Sequence, residues 1–279
     1  MARTDTLRHF LTDIANSIRN KKGTTDPIMA SDFDTEIDSI ETSVGKYAPR
    51  FISFRDYNKT DLDYEISNID TSNVTDMRSM FNDCTYLTSL DLSNFDTSNV
   101  TDMSSMFNGC QNLTSLVLSN FNISNVRNMN SMFYNCKNLT SLDLSNFDTS
   151  NVMNMNEMFS NCSNLTSLNL SSFNTSNVTD MRSMFLNCKN LTSLDLSNFD
   201  TSNVMDMSSM FQSCSKLTYL DIRNFDFTKE IYNRNMFYKI PSNCEIIVKD
   251  DTAKERIFAI RKDLTNVKTV VEKEAEIVV

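Results

Sequence analysis

The chain has 279 residues, a mass of 31.9 kDa and a formal net charge of −10, with three glycines, three prolines and one histidine. A negatively charged protein repels phosphate backbones, which argues against nucleic acid as a partner. Three glycines leave no room for a glycine-rich phosphate loop, and one histidine removes most acid–base, metal-binding and Ser-His-Asp arrangements. We therefore expect a protein that is not an enzyme, with no catalytic residue, no metal site and no cofactor.

Residues 1–45 predict a small helical segment at the N-terminus. Its apolar residues recur at helical spacing and form one face, made of Leu7, Leu11, Ile14 and Ile18. The stretch LTDIANSIRNKKGTTDPIMASDFDTEIDSI resembles an N-terminal segment of tail proteins from phages that infect Gram-positive bacteria. The resemblance implies that residues 1–45 dock the protein to phage tail or baseplate proteins.

The N-terminus also bears on location. It carries charge in every turn and lacks the apolar core of a signal peptide, and the chain has no apolar run long enough to span a membrane. We expect no membrane insertion and, with the tail resemblance, a place in the virion tail after assembly in the host cytoplasm. The alternative location is the bacterial cell surface, for which an export signal would be expected.

A repeat of 26 residues organises the chain from 64 to 240. Its frame reads L-x-x-L-x-L-x-x-F-x4-V-x-x-M-x-x-M-F-x-x-C, and its period is marked by Cys84, Cys110, Cys136, Cys162, Cys188 and Cys214. A fixed period of about 20–50 residues is typical of a solenoid, in which each coil packs on its neighbours. Twelve of the seventeen methionines and six of the seven cysteines keep this register, so we expect them to be core residues and buried free thiols.

Each repeat combines two periodicities. The alternation L-x-L predicts a half-buried strand, and the spacing of three and four in V-x-x-M-x-x-M-F-x-x-C predicts a short α-helical or 3₁₀ segment. A polar link such as Asp96-Thr97-Ser98-Asn99 predicts a turn between them. The fold class is therefore an α/β solenoid with a parallel sheet on one face and short helical or 3₁₀ segments on the other.

The ends of the solenoid depart from the repeat, as terminal caps must. Residues 46–63, which include the alternating stretch RFISF, predict an N-terminal cap. Residues 241–279 predict a C-terminal cap of strand, helix and strand, from EIIV, a helix-like 251–264 and NVKTVV.

The phrases DTSNVTDM, SMF-x-x-C and NLTSLDLSNFDTSN resemble the BspA-like bacterial surface leucine-rich repeats. The resemblance implies a parallel sheet on one face of the solenoid and helical turns on the other. Phe95 stands where ordinary leucine-rich repeats carry the asparagine of their side-chain ladder. The resemblance also implies an alternative function, that of a bacterial surface adhesin.

The net charge lies wholly on the repeats, because residues 61–220 hold 6 basic and 16 acidic side chains, and 6 − 16 = −10. An acidic row is predicted on the outer sheet face, where the neighbouring Asp195 and Asp221 should repel each other. This polar face could hydrogen-bond a cell-surface glycan, or it could be only a solvated strand surface. Its candidate binding residues are Asp91, Asp143, Asn169, Asp195, Asp221 and Tyr219.

A second candidate surface consists of positions that differ between repeats on the predicted helical face, namely Arg127, Tyr134, Arg182 and Leu186. A specific protein or glycan on the bacterial surface would need such irregularity, whereas neutral drift on an exposed face is the simpler alternative. The sequence favours a non-enzymatic phage tail fibre, receptor-binding or baseplate-associated protein. A BspA-like adhesin and a purely structural tail decoration are the alternatives. Homo-oligomerisation stays open, because no heptad or collagen-like segment requires it.

Overall fold

In the computed structural model, which describes residues 54, 66, 69–229 and 231–277, successive 26-residue segments stack as coils of a solenoid. The described residues form six short strands: β1 (Ser89–Asp91), β2 (Ser115–Val117), β3 (Ser193–Asp195), β4 (Tyr219–Asp221), β5 (Glu245–Val248) and β6 (Val267–Thr269). Their two helices are α1 (Asp251–Ile260) and α2 (Val270–Ile277). Every strand pair is parallel, in the orders β1-β2 and β3-β4-β5-β6. The predicted solenoid with a parallel sheet is confirmed.

The sheet side is interrupted in the middle of the solenoid. Residues 141–143 and 167–169 occupy the strand positions of their coils but do not form strands. The bond from Thr166 N to Thr140 O is 3.2 Å long and that from Thr192 N to Thr166 O is 3.4 Å, against 2.8 Å from Thr114 N to Thr88 O. The parallel sheet is therefore split into a pair and a group of four strands.

The opposite side of each coil differs from the helical segment that the sequence predicts. In the first described coil, four alternate N–H groups donate to carbonyls of the next coil at 2.6–3.0 Å: Met77 to Asp102, Ser79 to Ser104, Phe81 to Met106 and Asp83 to Asn108. Helical N–H groups would bond within their own segment instead. This side is thus a second parallel ladder built from tight turns, with bridges that run from Asp76 to Tyr232.

Two residues per coil in these turns have left-handed backbone, with φ between 54° and 63° except at Gly109, where φ is 77°. Most of them are Ser, Asn or Asp, and Asn and Asp tolerate this region better than larger or branched side chains. Gly109 is the one glycine among them, and a Cβ atom there would collide with the Asp83 carboxylate. The spacing of three and four in the sequence comes from these turns.

The core consists of columns, meaning equivalent positions in successive coils. One column stacks phenylalanine rings at centroid distances of 5.5–5.9 Å and interplanar angles of 3–16° through Phe81, Phe107, Phe133, Phe159, Phe185, Phe211 and Phe237. Phe54 adds a ring at 5.2 Å from Phe81. The methionines and cysteines of the repeat frame are buried beside these rings, as predicted.

At the C-terminal end, β5 keeps the 26-residue register, because Glu245 pairs with Tyr219, while β6 follows after 21 residues and pairs Val267 with Ile246. Helix α1 begins after Asp250, whose side chain accepts from Ala253 N at 3.0 Å. The segment boundaries 1–45, 46–63, 64–240 and 241–279 stay predictions. Apart from Phe54, the first two of these segments lie outside the described residues.

Candidate binding surfaces of the solenoid

The predicted Asp and Asn binding residues of the sheet face lie at tight turns of the coils, which we call corners. Asp91, Asp143, Asn169 and Asp195 are exposed, but each side chain accepts a hydrogen bond from the backbone N–H two residues further on, at 2.9–3.1 Å. Hydrogen bonds from Ser145 lower the pKa of Asp143. Such side-chain bonds close a turn, so one oxygen of each group has a structural role before any ligand is considered.

Asp221 requires a correction, because the outward-facing carboxylate that the sequence predicts is only 1% exposed. The Arg223 guanidinium contacts both of its oxygens, and the Tyr219 hydroxyl lies 3.2 Å from one of them. Burial and the nearby carboxylate raise the pKa of Tyr219 to about 12. The expected repulsion between Asp195 and Asp221 is thus offset by a cation that sequence spacing alone did not place there.

The sheet face is bounded at this end by helix α2. Glu245 shares the face of its strand partner Tyr219, and its carboxylate pairs with Lys268 at 2.9 Å and with Lys273 of α2 at 3.0 Å. These lysines hold the pKa of Glu245 below its usual range. The open polar part of the sheet therefore ends at Tyr219.

Two further corners of the coil are closed by the same side-chain-to-backbone hydrogen bond. In the sequence they look like the rest of the polar surface. Asp96 accepts from Ser98 N at 2.9 Å, and Asp102 accepts from Ser104 N at 2.8 Å. Eleven of the 16 acidic residues in 61–220 occupy such corners: Asp70, Asp76, Asp91, Asp96, Asp102, Asp143, Asp148, Asp180, Asp195, Asp200 and Asp206. Most of the acidic side chains of the repeats therefore have a turn-closing role, which asparagine fills in other coils.

Buried threonines tie each coil to the next. Thr149 is fully buried, and its hydroxyl donates to Asn174 O and accepts from Asn174 N, both at 2.8 Å. Thr97 makes the same pair of bonds with Asn122. The recurrence of threonine in D-T-S-N and N-T-S-N, with Ile123 and Phe227 as exceptions, is the signal for this role, since a turn alone does not require threonine.

Asparagine amides form the ladder that Phe95 cannot provide. The side chain of Asn120 donates to Phe95 O at 2.6 Å, and that of Asn146 donates to Phe121 O at 2.8 Å. A second amide column runs through the turn, where Asn125 donates to Ser98 O at 2.8 Å. These side chains satisfy carbonyls of the preceding coil and are not free for a ligand.

The residues predicted on the variable face fall into two classes. Arg127 and Arg182 are exposed, whereas Tyr134 and Leu186 are half-buried. Arg182 lies 3.9 Å from Asp180 in the same coil. The structure keeps the two arginines available to a partner.

The cysteines fill a structural position. Each repeat cysteine from Cys110 to Cys214 donates its S–H to the phenylalanine carbonyl 29 residues earlier at 3.1–3.2 Å, and burial raises the pKa of Cys162 to about 12. Low thiolate character makes them poor nucleophiles. The described residues contain no group of three His, Cys, Asp or Glu side chains placed to hold a metal ion.

Leu7, Leu11, Ile14 and Ile18 of the predicted tail-docking helix lie outside the described residues. Among the residues that the structure describes, no helix has the length and apolar character needed to cross a membrane.

A family model described as "Mycoplasma protein of unknown function, DUF285" matches residues 50–165 and 133–249, which together span 50–249. The chain belongs to this family. No match was found among curated proteins.

Among solved structures, the chain is similar to a protein in the crystal structure of a TLR13–ssRNA13 complex, with 20% identity and a TM-score of 0.39. The match covers 71% of this chain and 27% of that one, so the chain corresponds to about a quarter of the length of its neighbour. A solenoid of stacked repeats offers an extended surface along its coils.

Proposed function

We propose that the protein is a non-enzymatic component of a phage tail that docks through residues 1–45 and presents its solenoid to the surface of a Gram-positive host. The observation that supports docking is the resemblance of the N-terminal stretch to tail proteins, with its apolar face of Leu7, Leu11, Ile14 and Ile18. The solenoid supports presentation, because its backbone groups pair between coils and leave the irregular side chains of Arg127 and Arg182 exposed.

The contact with the host surface lies on the variable face, around Arg127 and Arg182. Arg127 is the one arginine of a column that otherwise holds threonine, methionine and isoleucine. Arg182 stands in a column of Ser and Asn that also holds arginine at its two ends, Arg78 and Arg234. On an acidic solenoid, two cations two or more coils apart suit an anionic cell-surface glycan or protein. The sheet face is the weaker candidate, because its Asp side chains form corners.

Two measurements test this proposal. Deletion of residues 1–45 should release the protein from purified phage particles while circular dichroism shows a folded solenoid; retention on the particles would contradict tail docking. Binding of the fluorescently labelled full chain to host cells should fall by about tenfold, or about 1.4 kcal/mol, in the double variant Arg127→Thr and Arg182→Ser. These substitutions use residues from the same columns, so folding should be unaffected.

The matched control for the arginines is Lys137→Ser with Lys189→Ser, which removes two exposed cations outside these columns. The control should bind host cells as the wild type does. An equal loss of binding in the arginine and lysine double variants would mean that net charge, and not the two arginines, controls binding. A wild-type chain that stays on particles but binds no cells would be a structural tail decoration.

The second candidate function is a bacterial surface adhesin of the BspA-like type, which the DUF285 match favours. An antibody against the full chain separates the two. Labelling of intact bacteria that carry no phage particles would favour the adhesin, whereas labelling confined to particles would favour the tail protein.

A further inference from the structure

One column of corners changes its chemistry at the C-terminal end of the solenoid. The bridged positions Asp76, Asp102, Asn128, Asn154, Asp180 and Asp206 all have short side chains that close a turn, but the next position holds Tyr232. Tyr232 keeps the backbone register, since it is bridged to Asp206, yet its side chain is 75% exposed. The substitution gives no turn-closing bond and places an aromatic ring on the surface.

Apolar side chains line the surface beside this ring. Met205, whose carbonyl accepts from Tyr232 N at 3.1 Å, is 63% exposed. An open cavity of about 570 Å³ lies between this last turn and α1, and its apolar lining comes from Phe227, Ile231, Tyr232, Ala259 and Ile260. An adjoining cavity of about 330 Å³ shares Ile231 and Tyr232 and extends to Met205. We call the two together the C-terminal groove.

The charge of the C-terminal groove is opposite to that of the repeats. Lys229 and Arg256 line it, and none of its described lining residues is acidic. Lys229 donates to Ser202 O. One coil earlier, the equivalent residue Asn203 donates to Ser176 O. Exposed Arg256 forms no ion pair with any residue that the structure describes. Two cations therefore border an apolar recess at the end of an acidic array of repeats.

We propose that the C-terminal groove binds an acidic peptide segment of a partner protein, with an aliphatic or aromatic side chain inserted beside Tyr232 and a carboxylate against Arg256. An apolar anchor in a recess, bordered by charges that meet their opposites, is a common arrangement in peptide recognition. A neutral apolar segment would leave Arg256 without a charged partner, and a basic one would be repelled by the two cations. This inference is independent of the proposed tail function: the groove shares the column of Arg127 at Met205, but neither Arg127 nor Arg182 lines it.

The test is a selection of a random peptide library displayed on messenger RNA against the full chain, followed by fluorescence anisotropy of the enriched peptides. The comparison variant is Met205→Thr with Tyr232→Asp, which installs the residues that the same columns use at Thr179 and Asp206, so the fold is kept. A second variant, Arg256→Gln, removes one cation. The control is Met153→Thr, which alters an exposed methionine of the same column two coils away.

Enriched peptides should combine Asp or Glu with Leu, Ile, Phe or Tyr, and the double variant should weaken their binding by at least about tenfold. Arg256→Gln should weaken acidic peptides by a smaller factor that shrinks in high salt, and Met153→Thr should change nothing. No enrichment over the double variant, or enrichment of basic or uncharged peptides, would overturn the proposal. Concentration-dependent self-association that the double variant abolishes would assign the groove to a second copy of the chain, and would equally overturn it.

Discussion

The central coils, residues 99–214, and the C-terminal end, residues 215–277, share one backbone ladder and turn-closing corners such as Asp226, but differ at two polar positions. In the central coils, Asp, Asn, Thr and Ser close corners or satisfy carbonyls of a neighbouring coil. At the C-terminal end the corner column ends in exposed Tyr232, and Asp221 is buried against Arg223. The regular polar side chains thus stabilise the stacking of coils. A ligand site is best sought where a column of equivalent positions changes its residue type.

The largest expected effect on stability comes from a substitution in the column of stacked phenylalanine rings. Phe159 stacks between Phe133 and Phe185 at 5.6 and 5.7 Å, and Phe159→Ala should lower the free energy of unfolding by about 3–5 kcal/mol. Because coils are coupled mainly to their neighbours, urea unfolding should also become less cooperative. Phe227→Ala, which opens the C-terminal groove, should cost less, and an equal cost would mean that the two regions are packed alike.

The core column shows what could be predicted from sequence. The fixed register of Cys136, Met132 and Phe133 identifies buried positions without ambiguity, and the structure buries all three. The helical interpretation of the turns failed because tight turns and helices share the spacing of three and four. Left-handed backbone at residues such as Ser131 and Asn135 distinguishes tight turns from a helix. Ser and Asn also occur on helix surfaces, so the sequence alone does not show this difference.

The candidate site was less predictable for a similar reason. The position of Asp221 in the repeat frame predicts an outward side chain, but Arg223 and Tyr219, each two residues away, fold over its carboxylate, and repeat spacing does not predict these side-chain directions. The change at Tyr232 is visible in the sequence only after the corner column is known. Without that column, the segment FDFTKEIYNRN looks like an ordinary departure at the end of a repeat array.

An intermediate effect is expected from the buried threonines. Thr149→Val would leave the N–H and C=O of Asn174 without their partner, which should cost about 1–3 kcal/mol of unfolding free energy. The chain contains a matched control, because Ile123 replaces threonine in one coil. Ile123→Thr should leave stability unchanged or raise it in chemical denaturation. A loss as large as that of Thr149→Val would contradict the ladder role of this column.

The smallest effect per residue is expected at the acidic corners. It tests most directly the central claim that these acidic side chains are present to close turns. Urea unfolding at neutral pH would compare the wild type with Asp91→Asn, Asp195→Asn and Asp206→Asn combined, and with the same three positions changed to Ala. Asn fills equivalent corners at Asn128 and Asn169, so the Asn set should stay within about 1 kcal/mol of the wild type, while the Ala set should lose about 1 kcal/mol per corner. Equal losses in both sets, or no loss in the Ala set, would contradict the account that these acids are present to form corners.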